Sequence, residues 1–242
     1  MRGVFTIAVA LVALVAGAVA SVVGFGIGSM LTPLVGVHVG LRAAVVVVSV
    51  PHFAATVLRA WRLRRSIDRV VLVRFGLASA AGGLAGALLH DRLHSPALAL
   101  VFGGLLVFAG TMGVSGLSKR MRFGRRVAFV AGILSGGFGG LVGNQGGIRS
   151  AALLGFDIPR EAFVATATAV GVLVDLARMP VYLATSAGAI AASWKLVVVA
   201  TAAVLAGTLL GERVLRRIPE RVFRFVVSAV VLALGVVILV RR

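Results

Sequence analysis

Residues 132–155 read GILSGGFGGLVGNQGGIRSAALLG. The stretch is apolar enough to lie in a membrane, yet it carries Asn144, Gln145 and Arg149 within a run of glycines. A lipid-embedded helix gains nothing from so many glycines unless its backbone breaks or packs very closely. A weaker copy, GAVASVVGFGIGSMLTPLVG, occupies residues 17–36. Sliding the chain by 119 positions sets Gly17 on Gly136, Gly24 on Gly143, Gly28 on Gly147 and Gly36 on Gly155. The same shift sets Ala43 on Ala162, Val45 on Val164 and Arg59 on Arg178. One constant offset that matches four glycines and an arginine predicts an internal duplication.

The surroundings place that duplication in a bilayer. The chain of 242 residues is 60% hydrophobic, with a mean hydropathy of +1.10, outside the range of ordinary soluble domains. Nearly uncharged runs at 70–89, 97–117, 196–210 and 223–240 each approach the ~20 residues needed to cross the hydrocarbon core as a helix. The net charge of +18 would suggest nucleic acid in a soluble protein. Here the basic residues sit in short loops between apolar runs, where they orient spans and meet anionic headgroups, so nucleic-acid binding is not expected. The absence of cysteine excludes disulfides, thiolate metal sites and thiol-relay transport. Four scattered histidines make no ligand cluster. Arg2, an apolar run and Ala18-Val19-Ala20 imitate a cleavable signal peptide. Cleavage there would remove part of the first repeat, and the segment is expected to stay.

Taken in order, a first segment over 4–37 breaks at Gly24-Phe25-Gly26-Ile27-Gly28, and Pro33 is expected to disrupt it further. Segments 43–58 and 70–89 follow, the latter with a flat packing face at Gly82, Gly83 and Gly86. A turn from His90 to His94, both expected at the interface, leads into 97–117. The second half opens with 127–156, broken at Gly143–Gly147, then 163–183, 191–210 and 222–240. The domain reading is a first repeat at 1–118, a basic cytoplasmic linker at 119–126 and a second repeat at 127–242. Three loops carry five basic residues each, including Arg62, Lys119 and Arg216. The positive-inside rule wants all three in the cytoplasm, which eight simple crossings cannot achieve. They reach it if each broken segment enters and leaves on one side, with both termini outside and the halves inverted. A parallel repeat with one basic loop outside is the alternative. The expected fold is therefore an all-α membrane protein of two repeats, each of about four apolar segments and opened by a broken or re-entrant helix.

The chemistry follows from the breaks. Inside a bilayer, irregular backbone must be buried in protein or line a cavity. Free N–H groups at a helix start make an anion site. Gly26, Gly28 and Ser29 would supply one face; Asn144, Gln145, Gly146 and Gly147 would supply the other, with amide side chains donating to oxyanion oxygens. Packing is the competing explanation of the glycines, because Gly132, Gly136 and Gly140 recur at four-residue spacing. Arg149 follows the second break. Arg178 lies mid-segment with Asp175 one turn before it, and either contacts the anion or is neutralised by that carboxylate. Asp175 is the one candidate for proton coupling. His52, beside Pro51, faces either the cavity or a neighbouring helix. Arg59 sits at a span end, where it can snorkel.

At these residues the sequence resembles the TauE/SafE family of bacterial sulfite exporters. Gly24-Phe25-Gly26-Ile27-Gly28 with Pro33 matches the family's first G-x-G-G-G segment, with Ile27 in place of a glycine. Gly143-Asn144-Gln145-Gly146-Gly147 matches the second with two polar substitutions, and Ala152 stands where proline is expected. The resemblance implies a secondary transporter in the bacterial inner membrane. It would export sulfite or organosulfonates by alternating access, without a metal or organic cofactor. An anion channel, or a carrier of sulfate, thiosulfate or a carboxylate, fits the same architecture. No catalytic set is present, so an enzyme is not expected. The glycine faces permit a homodimer without requiring one.

Overall fold

The computed structural model describes residues 2–90, 125–143, 146–156, 158–215 and 217–240, with scattered positions between 100 and 115. The described residues form helices and short connections, with no strand among them. Helix α1 spans Arg2–Val23, α2 Ile27–Val39 and α3 Leu41–Arg62. Helix α4, Arg69–Leu88, contains one π-helical turn at Leu72–Gly76. Then come α5, Arg125–Val142, and the short α6, Gly146–Leu153. Helix α7 is Arg160–Ala192, kinked at Ser186; α8 is Trp194–Leu215 and α9 is Glu220–Val240. Five of these, α1, α3, α4, α7 and α8, are long and apolar enough to cross a membrane. The sequence segment 97–117 lies largely outside the described residues.

Both glycine breaks are real. Helix α1 stops at Val23, Gly24 turns through φ 86° and Gly26 through φ 133°, and α2 starts at Ile27. Helix α5 stops at Val142, Gly143 turns through φ 71°, and α6 starts at Gly146. Left-handed φ is costly for any residue with a Cβ, which explains glycine at these two hinges. Pro33 does not interrupt the chain as expected: α2 runs through it to Val39. Proline removes one backbone donor but its φ is already helical, and neighbouring turns hold the helix.

Two glycine seams bind the molecule. On α5, Gly132, Gly136 and Gly140 face the α4 backbone at Phe75, Ser79 and Gly83 in turn. Gly82 and Gly86 of α4 fill the reciprocal positions against Ile133 and Gly137. The contacts advance in the same direction on both helices, so α4 and α5 run parallel. Helix α1 lies along α8 in the same way, with Leu14 against Gly207 and Ala18 against Gly211. In a lipid environment such close backbone approach supplies dispersion that larger side chains would prevent. The four-residue glycine stripe of α5 is therefore a packing face.

Helices α3 and α7 cross the centre in opposite directions. Ser49 meets Met179, His52 and Thr56 meet Asp175, and Arg59 meets Thr168. At one end of the bundle Arg62 pairs with Glu212, and Arg160 donates to the Ile218 carbonyl. At the same end the Asp68 N–H donates to Thr166 Oγ1 at 2.9 Å. That end thus gathers the close of α3 and α8 with the start of α4, α5 and α7. Arg64, Arg65, Arg69, Arg126, Arg213 and Arg217 are exposed there. Lys195, at the start of α8, belongs to the opposite end.

Candidate anion site

The central site grows from two polar stripes. On α3, Ser49, His52, Thr56 and Arg59 recur at helical spacing and share one face. On α7, Thr168, Gly171, Asp175 and Arg178 do the same. The two faces meet, with all these polar side chains buried. Charge at this depth has to be answered by charge or hydrogen bonds.

Asp175, with no exposed surface, is the hub. Its Oδ1 accepts from Arg178 Nε at 2.9 Å and faces Arg178 Nη2 at 2.7 Å. Its Oδ2 accepts from His52 Nδ1 at 2.7 Å and from the Thr56 hydroxyl at 3.2 Å. Arg178 Nη1 donates to the Gly139 carbonyl at 2.8 Å. All three guanidinium nitrogens of Arg178 are therefore engaged by protein. Nearby, the Tyr182 hydroxyl donates to the Gly140 carbonyl at 2.7 Å. Gly139 and Gly140 lie in the last turn of α5, where the Gly139 carbonyl also accepts from the Gly143 N–H at 3.1 Å. A cation and a hydroxyl donor complement that negative end.

Arg149, on α6, is 1% exposed and reaches into the same centre. Its Nη2 donates to the carbonyl of Gly24, the hinge glycine of the other break, at 3.1 Å. Its Nη1 lies beside Gly171, where a Cβ would press on it, and near Thr56. Arg149 Nε and Nη1 have no hydrogen-bond partner among the described residues. Arg59, 3% exposed, donates from Nε to Thr168 Oγ1 at 2.8 Å and leaves Nη1 buried without such a partner. The expectation that Arg59 snorkels fails: it turns inward to Thr168. Arg59, Arg149, Arg178, Asp175 and His52 all interact electrostatically.

The structure thus brings together His52, Arg149, Asp175 and Arg178 of the sequence-derived set. The glycines surround them differently from the sequence picture. Gly28 packs on the Gly143 carbonyl, so the two breaks touch. Gly146 makes room for Phe25 and Gly147 for Leu106, and Gly26 faces Val19. Ser29 is half-buried in the first turn of α2. Asn144 and Gln145 lie outside the described residues. His90 is buried, its Nδ1 2.7 Å from the Leu141 carbonyl; His94 lies outside the described residues. Sequence reasoning passed over Thr56 and Thr168 and undervalued Arg59. Their signal was there: at the offset of 119, Ser49, Thr56 and Arg59 fall on Thr168, Asp175 and Arg178.

A bundle of apolar helices around a buried, cation-rich centre and two touching helix breaks defines a multi-pass membrane protein. A family model described as Sulfite exporter TauE/SafE matches residues 9–238, and the chain belongs to that family. It is accordingly a transmembrane transporter of the sulfite-exporter class. No curated protein and no solved structure matches it.

Proposed function

We propose that this protein exports sulfite or a closely related small sulfur oxyanion across the bacterial inner membrane, by alternating access around the two helix breaks. The observation that carries the reading is Arg149: a fully buried guanidinium that bridges from one break to the hinge of the other while two of its nitrogens have no hydrogen-bond partner among the described residues. Open donors on a buried cation favour an anion that completes their shell. The first turn of α2 has no side-chain cap, so its N–H groups point the same way in charge.

The moving parts are two inverted repeats, 1–118 and 127–242 about the linker 119–126. Four boundaries support a duplication: α1 and α5 end, α2 and α6 begin, α3 and α7 begin, and the hinges Gly24 and Gly143 fall, each at a separation of 119. Inversion is supported by direction. The matching helices α3 and α7 run antiparallel, which a two-fold axis across the helices requires and a parallel repeat forbids. Each broken pair, α1–α2 and α5–α6, then enters and leaves on one side, and the basic loops share the cytoplasmic face.

The test is sulfite efflux from proteoliposomes, for wild type and Arg149→Gln. A saturable flux that supports counterflow in wild type and falls at least about a hundredfold in the variant is expected, the scale of losing one buried charged contact. Equal flux in both would overturn the assignment of Arg149, and a non-saturable flux would indicate a channel. The same assay across pH examines Asp175 as the coupling group, a proton there being shared with His52. Retained pH dependence in an active Asp175→Asn variant would remove that role.

A further inference from the structure

We infer that Arg59 and Arg149 together form a seat for an oxyanion bearing two negative charges, with Arg59 as a direct ligand. This rests on the transporter reading above and narrows it to a charge class.

The argument begins with the open donors. Arg59 Nη1, Arg149 Nε and Arg149 Nη1 are three buried N–H-bearing atoms without a hydrogen-bond partner among the described residues. They come from different helices, α3 and α6, and the two cations lie within electrostatic reach of one another. Each guanidinium is pinned by its remaining contact, Arg59 on Thr168 Oγ1 and Arg149 on the Gly24 carbonyl. Neither can turn away to find another acceptor without breaking that bond. Open guanidinium donors held in this way are the groups that bind the oxygens of a small oxyanion.

The charge count then selects the class. Three arginines, Arg59, Arg149 and Arg178, face one carboxylate, Asp175. With His52 neutral and its Nδ1–H on Asp175, three minus one leaves two positive charges in the cluster. Asp175 is already engaged by Arg178 and His52, and among the described residues no hydrogen bond joins it to Arg59 or Arg149. Burying uncompensated like charges is costly. A dianion such as sulfite, sulfate or thiosulfate closes the balance; a sulfonate, with one charge, leaves it one short.

Acidification separates the ligand's titration from the protein's. Protonation converts sulfite to a monoanion and should weaken its binding. Sulfate stays doubly charged, so its binding should hold.

The experiment is thermal-stability titration of the purified full-length protein with sulfate, sulfite, thiosulfate and methanesulfonate, at mildly alkaline and mildly acidic pH. Variants are Arg59→Gln, Arg59→Lys, Arg149→Gln and the exposed control Arg217→Gln. Expected are stabilisation by the dianions well above methanesulfonate, and loss of sulfite but not sulfate binding in acid. Arg59→Gln and Arg149→Gln should each weaken dianion binding by roughly thirtyfold or more, with the control unchanged. Should the Gln variants fail to fold, the wild-type comparison of dianion with monoanion, and the charge-conserving Arg59→Lys, still decide. Methanesulfonate binding as well as sulfate, or dianion binding indifferent to Arg59 but lost with Arg149, would overturn this inference and leave the transporter reading intact. No binding of any anion by folded wild type would overturn both.

Discussion

At the scale of single residues, the centre divides its arginines by what already holds them. Arg178 is tied at every nitrogen to Asp175 and Gly139, and acts as scaffold. Arg59 and Arg149 keep open donors. Removing Arg178 would strand a buried carboxylate, so Arg178→Gln should lower stability by about 3–5 kcal/mol. The double variant with Asp175→Asn should cost less than the sum of the two single changes. Melting temperatures of the four proteins check this, and additive losses would contradict the coupling. The sequence made Arg149, Asp175 and Arg178 visible because charge in an apolar run is conspicuous. It could not decide whether Arg178 meets anion or carboxylate, since the answer depends on a His52–Asp175 contact spanning 123 positions. Arg59 was misjudged because a place near a helix end looks like a route to the interface. The fold instead brings Thr168 against it.

At the scale of elements, glycine has two jobs that look alike in one dimension. At Gly24 and Gly143 it supplies a left-handed hinge; along α4 and α5 it removes bulk so that backbones can touch. Periodicity separates them only in part, because Gly140 of the seam and Gly143 of the hinge are three residues apart. The breaks themselves were legible to within a residue or two. Gly136→Leu should force the seam apart and destabilise by at least about 1–3 kcal/mol. Gly188→Ala, where an added Cβ meets nothing and the residue is an exposed part of α7, should stabilise by ~0.5–1 kcal/mol. Thermal denaturation of the two variants should move in opposite directions; a neutral Gly136→Leu would show the seam to be loose.

At the scale of the whole molecule, the ends of the helices sort the charge. Arg65 and Arg217 lie at one end and Lys195 at the other, because Arg62 meets Glu212 and Arg160 meets Ile218. The chain has no cysteine, so single cysteines report without background. Introduced at Arg65 and Arg217 they should react with an impermeant thiol reagent only from the cytoplasmic side, and at Lys195 only from outside. Arg65 and Arg217 labelled from opposite sides would refute the inverted arrangement. Loop charge alone suggested that two segments turn back, with a parallel repeat as the alternative. What it could not say is which helices then become neighbours, because pairing across the midline is set by shape, not by charge.

The glycine seams carry one more consequence. Each joins a helix from before the basic linker to one from after it: α1 to α8, and α4 to α5. A ribosome that has finished only the first 118 residues has therefore inserted two bare strips of backbone whose covers do not yet exist. Until the later portion arrives, those strips have no protein partner from the second half of the chain. Its assembly is a docking reaction within one chain, and the linker is the tether that sets how soon the partners find each other.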